Sequence, residues 1–155
     1  MSKAEYEALA AFRYTLRQFL RGSEQRAQEA GLTIQQYLAL LAIKGFPGRD
    51  YVTIGELAER LQIRHHSAVG LVDRLVAQDL AARKPAETDR RQVFVALTPR
   101  GEEILEKLAT ANRRQLRRLE PQLNLLAECL AVEEDVASSA REAVRKPAAR
   151  PAKSA

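Results

Sequence analysis

The run from Thr53 to Gly101, TIGELAERLQIRHHSAVGLVDRLVAQDLAARKPAETDRRQVFVALTPRG, constrains the fold more than any other stretch of this chain. It reads as two short helices, two strands around a basic turn, and the start of a third helix. The first helix opens on a capping box, Thr53-x-x-Glu56, in which each side chain satisfies a free backbone N–H of the other residue. Its apolar residues Ile54, Leu57, Ala58 and Leu61 share one face. After a turn at Gln62-Ile63-Arg64, the residues Ala68, Leu71, Val72 and Leu75 repeat the i, i+3, i+4, i+7 spacing of a second core-facing helix. Arg64, His65, His66, Ser67, Val69, Gly70 and Arg74 are left on its other faces.

The segment that follows is equally specific. Ala82 to Pro85 is a short strand, Ala86 to Gln92 is polar and turn-like, and Val93 to Leu97 is a β-rich return strand. Four cations, Arg83, Lys84, Arg90 and Arg91, crowd this hairpin. Thr98 then caps a new helix, with Pro99 at the first helical position, where its missing N–H costs nothing. The order is that of a winged helix-turn-helix, and the exposed residues of the second helix are placed to enter a DNA major groove.

At these residues the chain resembles the MarR family of bacterial transcriptional regulators. The family's wing pattern, Asp-x-Arg followed by an apolar strand and Leu-Thr-x-x-Gly, is matched by Asp89, Arg91, Leu97, Thr98 and Gly101. Its Leu-Val-Asp-Arg-Leu helix ending is matched by Leu71 to Leu75, and the likeness extends over residues 5 to 131. The resemblance implies a mainly α fold with a small β wing and an obligate dimer with one DNA-binding lobe per subunit. It also implies a repressor relieved by a small ligand. Arg91, by resemblance, reaches the minor groove or a phosphate while Asp89 orients the wing and Arg90 shares the contact. Two positions depart from the family. Arg64 stands where a Ser-type cap is usual, and Gly70 where a long polar side chain is common. A glycine inside a helix costs ~1 kcal/mol against alanine, so Gly70 implies close approach of something, either DNA or another helix.

With 155 residues and 46% hydrophobic content the chain can bury a core without disulfides or metal. The single Cys129 cannot form an internal disulfide, no window reaches the length of a membrane span, and no signal peptide is evident, so the expected compartment is the cytoplasm. A net charge of +5 favours an anionic partner. The last ten residues, KPAARPAKSA, lack apolar periodicity and read as a disordered basic tail over 146–155.

The remaining chain is helical in pattern. From Glu5 to about Arg21, Leu9, Phe12, Leu16, Phe19 and Leu20 keep helical spacing; Gly31 closes the following segment, and Thr33 caps a strongly apolar helix that Gly45-Phe46-Pro47-Gly48 breaks. Pro99 to about Leu119 forms a long helix carrying Ile104, Leu105, Leu108, Ala111 and Leu116, with Arg113, Arg114, Arg117 and Arg118 exposed. Glu120-Pro121 kinks or ends it. A further helix uses Leu123, Leu126, Ala127 and Leu130. A winged helix of this size cannot cover so many apolar faces, so Leu9, Phe12, Leu16, Phe19, Leu116, Leu123, Leu126 and Leu130 are expected at a homodimer interface. The organisation expected is one domain over 1–145, with 33–98 as the DNA-binding lobe and 1–32 and 99–145 as dimerisation helices.

His65 and His66 lie about 100° apart on a helix and cannot chelate one metal together. They suit phosphate or base contact, or simple exposure. Arg74 suits a phosphate or a nearby carboxylate. Cys129, among Leu126 and Leu130 with Glu128 beside it, is expected in the core rather than as a redox switch. No Gly-rich phosphate loop, nucleophile elbow or other catalytic constellation is present, so neither enzymatic activity nor a cofactor is expected. Phe12, Tyr14, Tyr37, Phe46 and Tyr51 could line an effector pocket, although such aromatics are more often core residues. The partner expected is a pseudo-palindromic double-stranded DNA operator; the competing reading is a winged-helix module whose basic face binds an acidic protein.

Overall fold

Capping chemistry sets most of the element boundaries in the computed structural model, which describes residues 1–85 and 93–128. Helix α1 runs Lys3–Glu29 and ends at Gly31, whose φ of 77° is the left-handed conformation that glycine adopts without penalty. Thr33 opens α2 (Ile34–Lys44): its hydroxyl accepts from the Gln36 N–H while the Gln36 side chain accepts from the Thr33 N–H, a complete capping box. Strand β1 (Tyr51–Thr53) leads into α3 (Ile54–Leu61), where Thr53 and Glu56 make the same reciprocal pair. Gln62, with φ of 54°, turns the chain into α4 (His65–Ala77). Strands β2 (Ala81–Pro85) and β3 (Val93–Leu97) follow, then α5 (Pro99–Leu116).

By compactness the described residues form two bodies, one of residues 18–116 and one comprising residues 1–17 together with 117–128. In the larger body the three strands make an antiparallel sheet in the order β1-β3-β2. Ala81 pairs with Leu97 and Pro85 with Val93, while Val52 pairs with Val95. Val52 and Val95 are fully buried with Leu40, Ile43, Leu57, Leu71, Val72, Leu75 and Leu80 in one core. Each such side chain contributes roughly 1.5–3 kcal/mol. This core holds α3 against α4 and α4 against β2, which fixes the outward face of α4.

The Leu-Thr-x-x-Gly motif closes the hairpin physically. The Thr98 N–H donates to the Leu80 carbonyl, its hydroxyl donates to the Asp79 carbonyl, and the Gly101 N–H donates back to that hydroxyl. A Cβ on Gly101 would lie 2.0 Å from the Leu80 carbonyl oxygen, so only glycine fits where the start of α5 meets the turn between α4 and β2.

Four features differ from the sequence pattern. Helix α1 does not stop near Arg21 but continues to Glu29, because Ser23 and Ala27 carry its buried face forward. The sheet has a third strand, since Tyr51–Thr53 is too short to show alternation yet pairs with β3. The β2 strand starts at Ala81, one residue earlier than its pattern. Helix α5 ends at Leu116, a turn covers 117–119, and helix resumes over 120–128, with Pro121 inside the first turn of the new helix instead of breaking the old one. No helix of the described residues is long and apolar enough to cross a membrane.

Candidate nucleic-acid interface

The α4 helix presents the face its sequence pattern leaves over. Ala68, Leu71, Val72 and Leu75 are buried, His65, His66, Ser67 and Arg74 are exposed, and Val69 and Gly70 are half-buried. Arg64 occupies the N-cap with extended backbone (φ −70°, ψ 150°) and makes no side-chain cap bond. Its guanidinium cannot accept a hydrogen bond, so no side chain caps the first N–H groups of α4, and an anion at this end would be favoured by the helix dipole.

Arg74 forms no ion pair among the described residues, because the carboxylate beside it is taken. Asp73 accepts from Arg83 of β2 at 2.6 Å. Asp73 was not among the residues singled out by sequence; nothing in the spacing shows that β2 returns alongside α4, and the pair exists only through that packing. Lys84, next along β2, is exposed and makes no ion pair among the described residues. Cationic side chains from helix and strand thus project from the same body, with the Asp73–Arg83 bridge joining the two elements. Asp89, Arg90 and Arg91 lie outside the described residues, as do Cys129 and Leu130.

Beneath this lobe a polar cluster ties three helices. Asn112, 4% exposed, accepts from Arg26 Nε and Nη2 at 2.8 and 2.5 Å, and its amide donates to Ser23 Oγ and to the Tyr37 hydroxyl oxygen at 3.1 and 2.8 Å. The apolar stripe of α5 drawn from sequence therefore shifts. Asn112 is inside and Leu116 is 47% exposed. Polarity misled the pattern, because a fully bonded amide is buried at little cost.

The larger-body aromatics proposed for an effector pocket have three different surroundings. Tyr37 is buried beside Asn112; Phe46 lies beneath the guanidinium groups of Arg49 and Arg60; Tyr51 packs on Phe94 with ring centroids 4.6 Å apart. Tyr51 and Phe94 floor a hollow of about 670 Å³ on the outer sheet face, rimmed by Lys84, Asp50 and Glu102. The two carboxylates of that rim share the Lys44 ammonium at 2.9 and 2.8 Å, and these bonds raise the Lys44 pKa further above its usual range. Phe12 and Tyr14 belong to the smaller body.

Of the residues expected at a dimer interface, Leu9 and Leu123 in the smaller body are exposed, and Phe12, Leu16 and Leu126 are half-buried. In the larger body Phe19 is half-buried and Leu116 exposed. Tyr6, Tyr14 and Leu125, which are not among the residues expected at that interface, are 58%, 64% and 46% exposed.

Comparison with known proteins bears on this architecture. Residues 30–92 match the MarR family model. The transcriptional activatory protein BadR of Rhodopseudomonas palustris is 33% identical over 97 residues, covering 62% of this chain and 55% of that protein. The chain spans about half the length of the curated relatives it matches. Among solved structures, AbsC, a MarR family transcriptional regulator from Streptomyces coelicolor, superposes with a TM-score of 0.65 at 24% identity, covering 92% of this chain and 97% of that one. A mutant of S. aureus MepR bound to an oligodeoxyribonucleotide gives 0.62 at 20% identity, covering 84% and 95%. The fold is that of the MarR-family winged helix.

Proposed function

Residues 30–92 are a MarR-family segment, and on that premise we propose that this protein is a sequence-specific, double-stranded DNA-binding transcriptional regulator that works as a homodimer. The observation that carries the reading is the outward face of α4, where His65, His66, Ser67 and Arg74 are exposed on a helix locked from behind by four buried residues. Phosphate contacts from cationic side chains position such a lobe, and base-edge contacts from the helix supply specificity. The structural likeness to DNA-bound MepR supports the same docking. In this reading residues 33–98 form the DNA-binding lobe and 1–32 with 99–145 supply dimerisation helices. Two-fold symmetry then spaces the recognition helices by about 34 Å, one turn of DNA. A cytoplasmic location and a role without catalysis follow from the same reading.

Repression relieved by a small ligand is the regulatory mode the family implies. BadR is named as an activatory protein, and the position of the operator relative to the promoter decides the sign. Selection of bound sites from random duplex DNA tests the whole proposal: a pseudo-palindromic consensus is expected. Arg91→Ala should then weaken binding to many duplexes and flatten its salt dependence, whereas His66→Ala and Ser67→Ala should alter base preference at single positions. Unchanged affinity of Arg91→Ala for the selected site across roughly 50–200 mM salt would refute the DNA-binding wing. A protein partner for the basic face would then become the leading reading.

A further inference from the structure

We propose that α4 reads a thymine through its C5-methyl group at Gly70, an inference that rests on the DNA-binding reading above. Nothing in the described chain requires glycine there. Its φ is not positive, so no left-handed conformation calls for it. A Cβ built at Gly70 would meet one atom within 4 Å, Arg74 Nη1 at 3.7 Å, an ordinary contact with the far end of a flexible side chain. No neighbouring helix crowds the position, which removes helix packing among the described residues as the reason for it. Glycine nevertheless weakens a helix interior relative to alanine.

A residue that the chain itself does not need, in the middle of the face proposed to enter the groove, points to a requirement imposed from outside. Gly70 lies one helical turn from His66, Ser67 and Arg74, which are all exposed, so it forms the low point of that face. Arg74 extends its guanidinium toward the notch from the C-terminal side. The floor of the notch is apolar: Gly70 has no side chain, its neighbour Val69 offers only methyl groups, and the local peptide groups belong to the helix ladder. The floor of the notch therefore offers no side-chain hydrogen bond of its own, and Arg74 borders it from one side only. Among major-groove features only the thymine methyl is an apolar group that shape and van der Waals contact can recognise. A Cβ would fill the clearance the methyl uses.

The test uses the full-length protein and the operator recovered from random duplex DNA. Replacing thymine by uracil, one position at a time, removes the methyl and leaves every hydrogen-bonding group in place. The parent should lose about fourfold in affinity at one position in each half-site, the value of one buried methyl-sized group. Gly70→Ala should melt at a higher temperature than the parent, bind the thymine operator several-fold more weakly, and no longer distinguish thymine from uracil. Parent affinity indifferent to every uracil substitution, or Gly70→Ala binding with parental affinity and discrimination, overturns the inference while leaving the regulator reading intact. A lowered melting temperature of Gly70→Ala also overturns it, since the glycine would then answer to the chain's own packing. Recovery of no selected duplex at all defeats the regulator reading itself, and this inference with it.

Discussion

At single residues, two positions have consequences sharp enough to measure. Gly101 faces the Leu80 carbonyl so closely that a Cβ would overlap it, and that atom is backbone, which cannot swing aside. Gly101→Ala should therefore cost about 3 kcal/mol in chemical denaturation through overpacking; a loss under about 0.5 kcal/mol would mean α5 does not meet the Leu80 turn as described. Glu56 is the second. Burial pushes its pKa up, but bonds from the Thr53 N–H and the Arg49 guanidinium, the Arg49 charge and the Thr53 hydroxyl outweigh that, and the net value falls below the usual 4.5. A carboxyl depressed on folding stabilises above its unfolded pKa and loses that contribution as pH falls through the folded value. Glu56→Gln retains the capping geometry without the charge, so it should be less stable than the parent by about 0.5–1 kcal/mol at pH 7. The gap should close as the solution is acidified well below pH 4.5. A gap independent of pH would assign the effect to packing instead of charge.

Between elements, the Asn112 amide is the joint of α1, α2 and α5 in the larger body, bonded to Arg26, Ser23 and Tyr37. Removing it strands a guanidinium and a phenol hydroxyl in a partly dry site. Asn112→Ala should lower stability by about 2 kcal/mol, and Asn112→Leu should not recover it, because the unmet polar groups remain. Full recovery by leucine in a urea titration would show the network to be dispensable. The Asp73–Arg83 bridge works at the same scale, tying β2 to α4; being exposed, it is expected to add little to stability and to matter through where it holds β2.

For the whole molecule, the proposed homodimer is the claim to test, and the side chains Leu9, Tyr6 and Leu123 of the smaller body and, separately, Leu116 of the larger are exposed. The protein should sediment at twice its 17.3 kDa chain mass at micromolar concentration. A 17.3 kDa species would remove the two-fold arrangement on which the operator symmetry depends. Salt belongs to this scale as well: under the proposed function, a +5 chain that releases counterions from DNA loses affinity steeply as ionic strength rises.

Much of this was legible in the sequence because the signals involved are local. The capping box at Thr53, the Thr98 cap, the i, i+3, i+4, i+7 spacing of Ala68 to Leu75 and the β-rich run at Val93 depend on neighbours within a few residues, and each element formed where its pattern placed it. The exposed face of α4 follows from the same arithmetic. What the sequence left open depended on contacts between distant segments. The strand at Tyr51 exists only because β3 supplies its hydrogen bonds, and α1 runs past Arg21 because Ser23 and Ala27 find a buried environment. Asn112 is buried because three side chains from other helices satisfy it, and Arg83 is held because β2 returns beside Asp73. A polar residue's burial and a cation's partner are properties of the packed chain, since each is decided by which groups arrive from elsewhere to replace water.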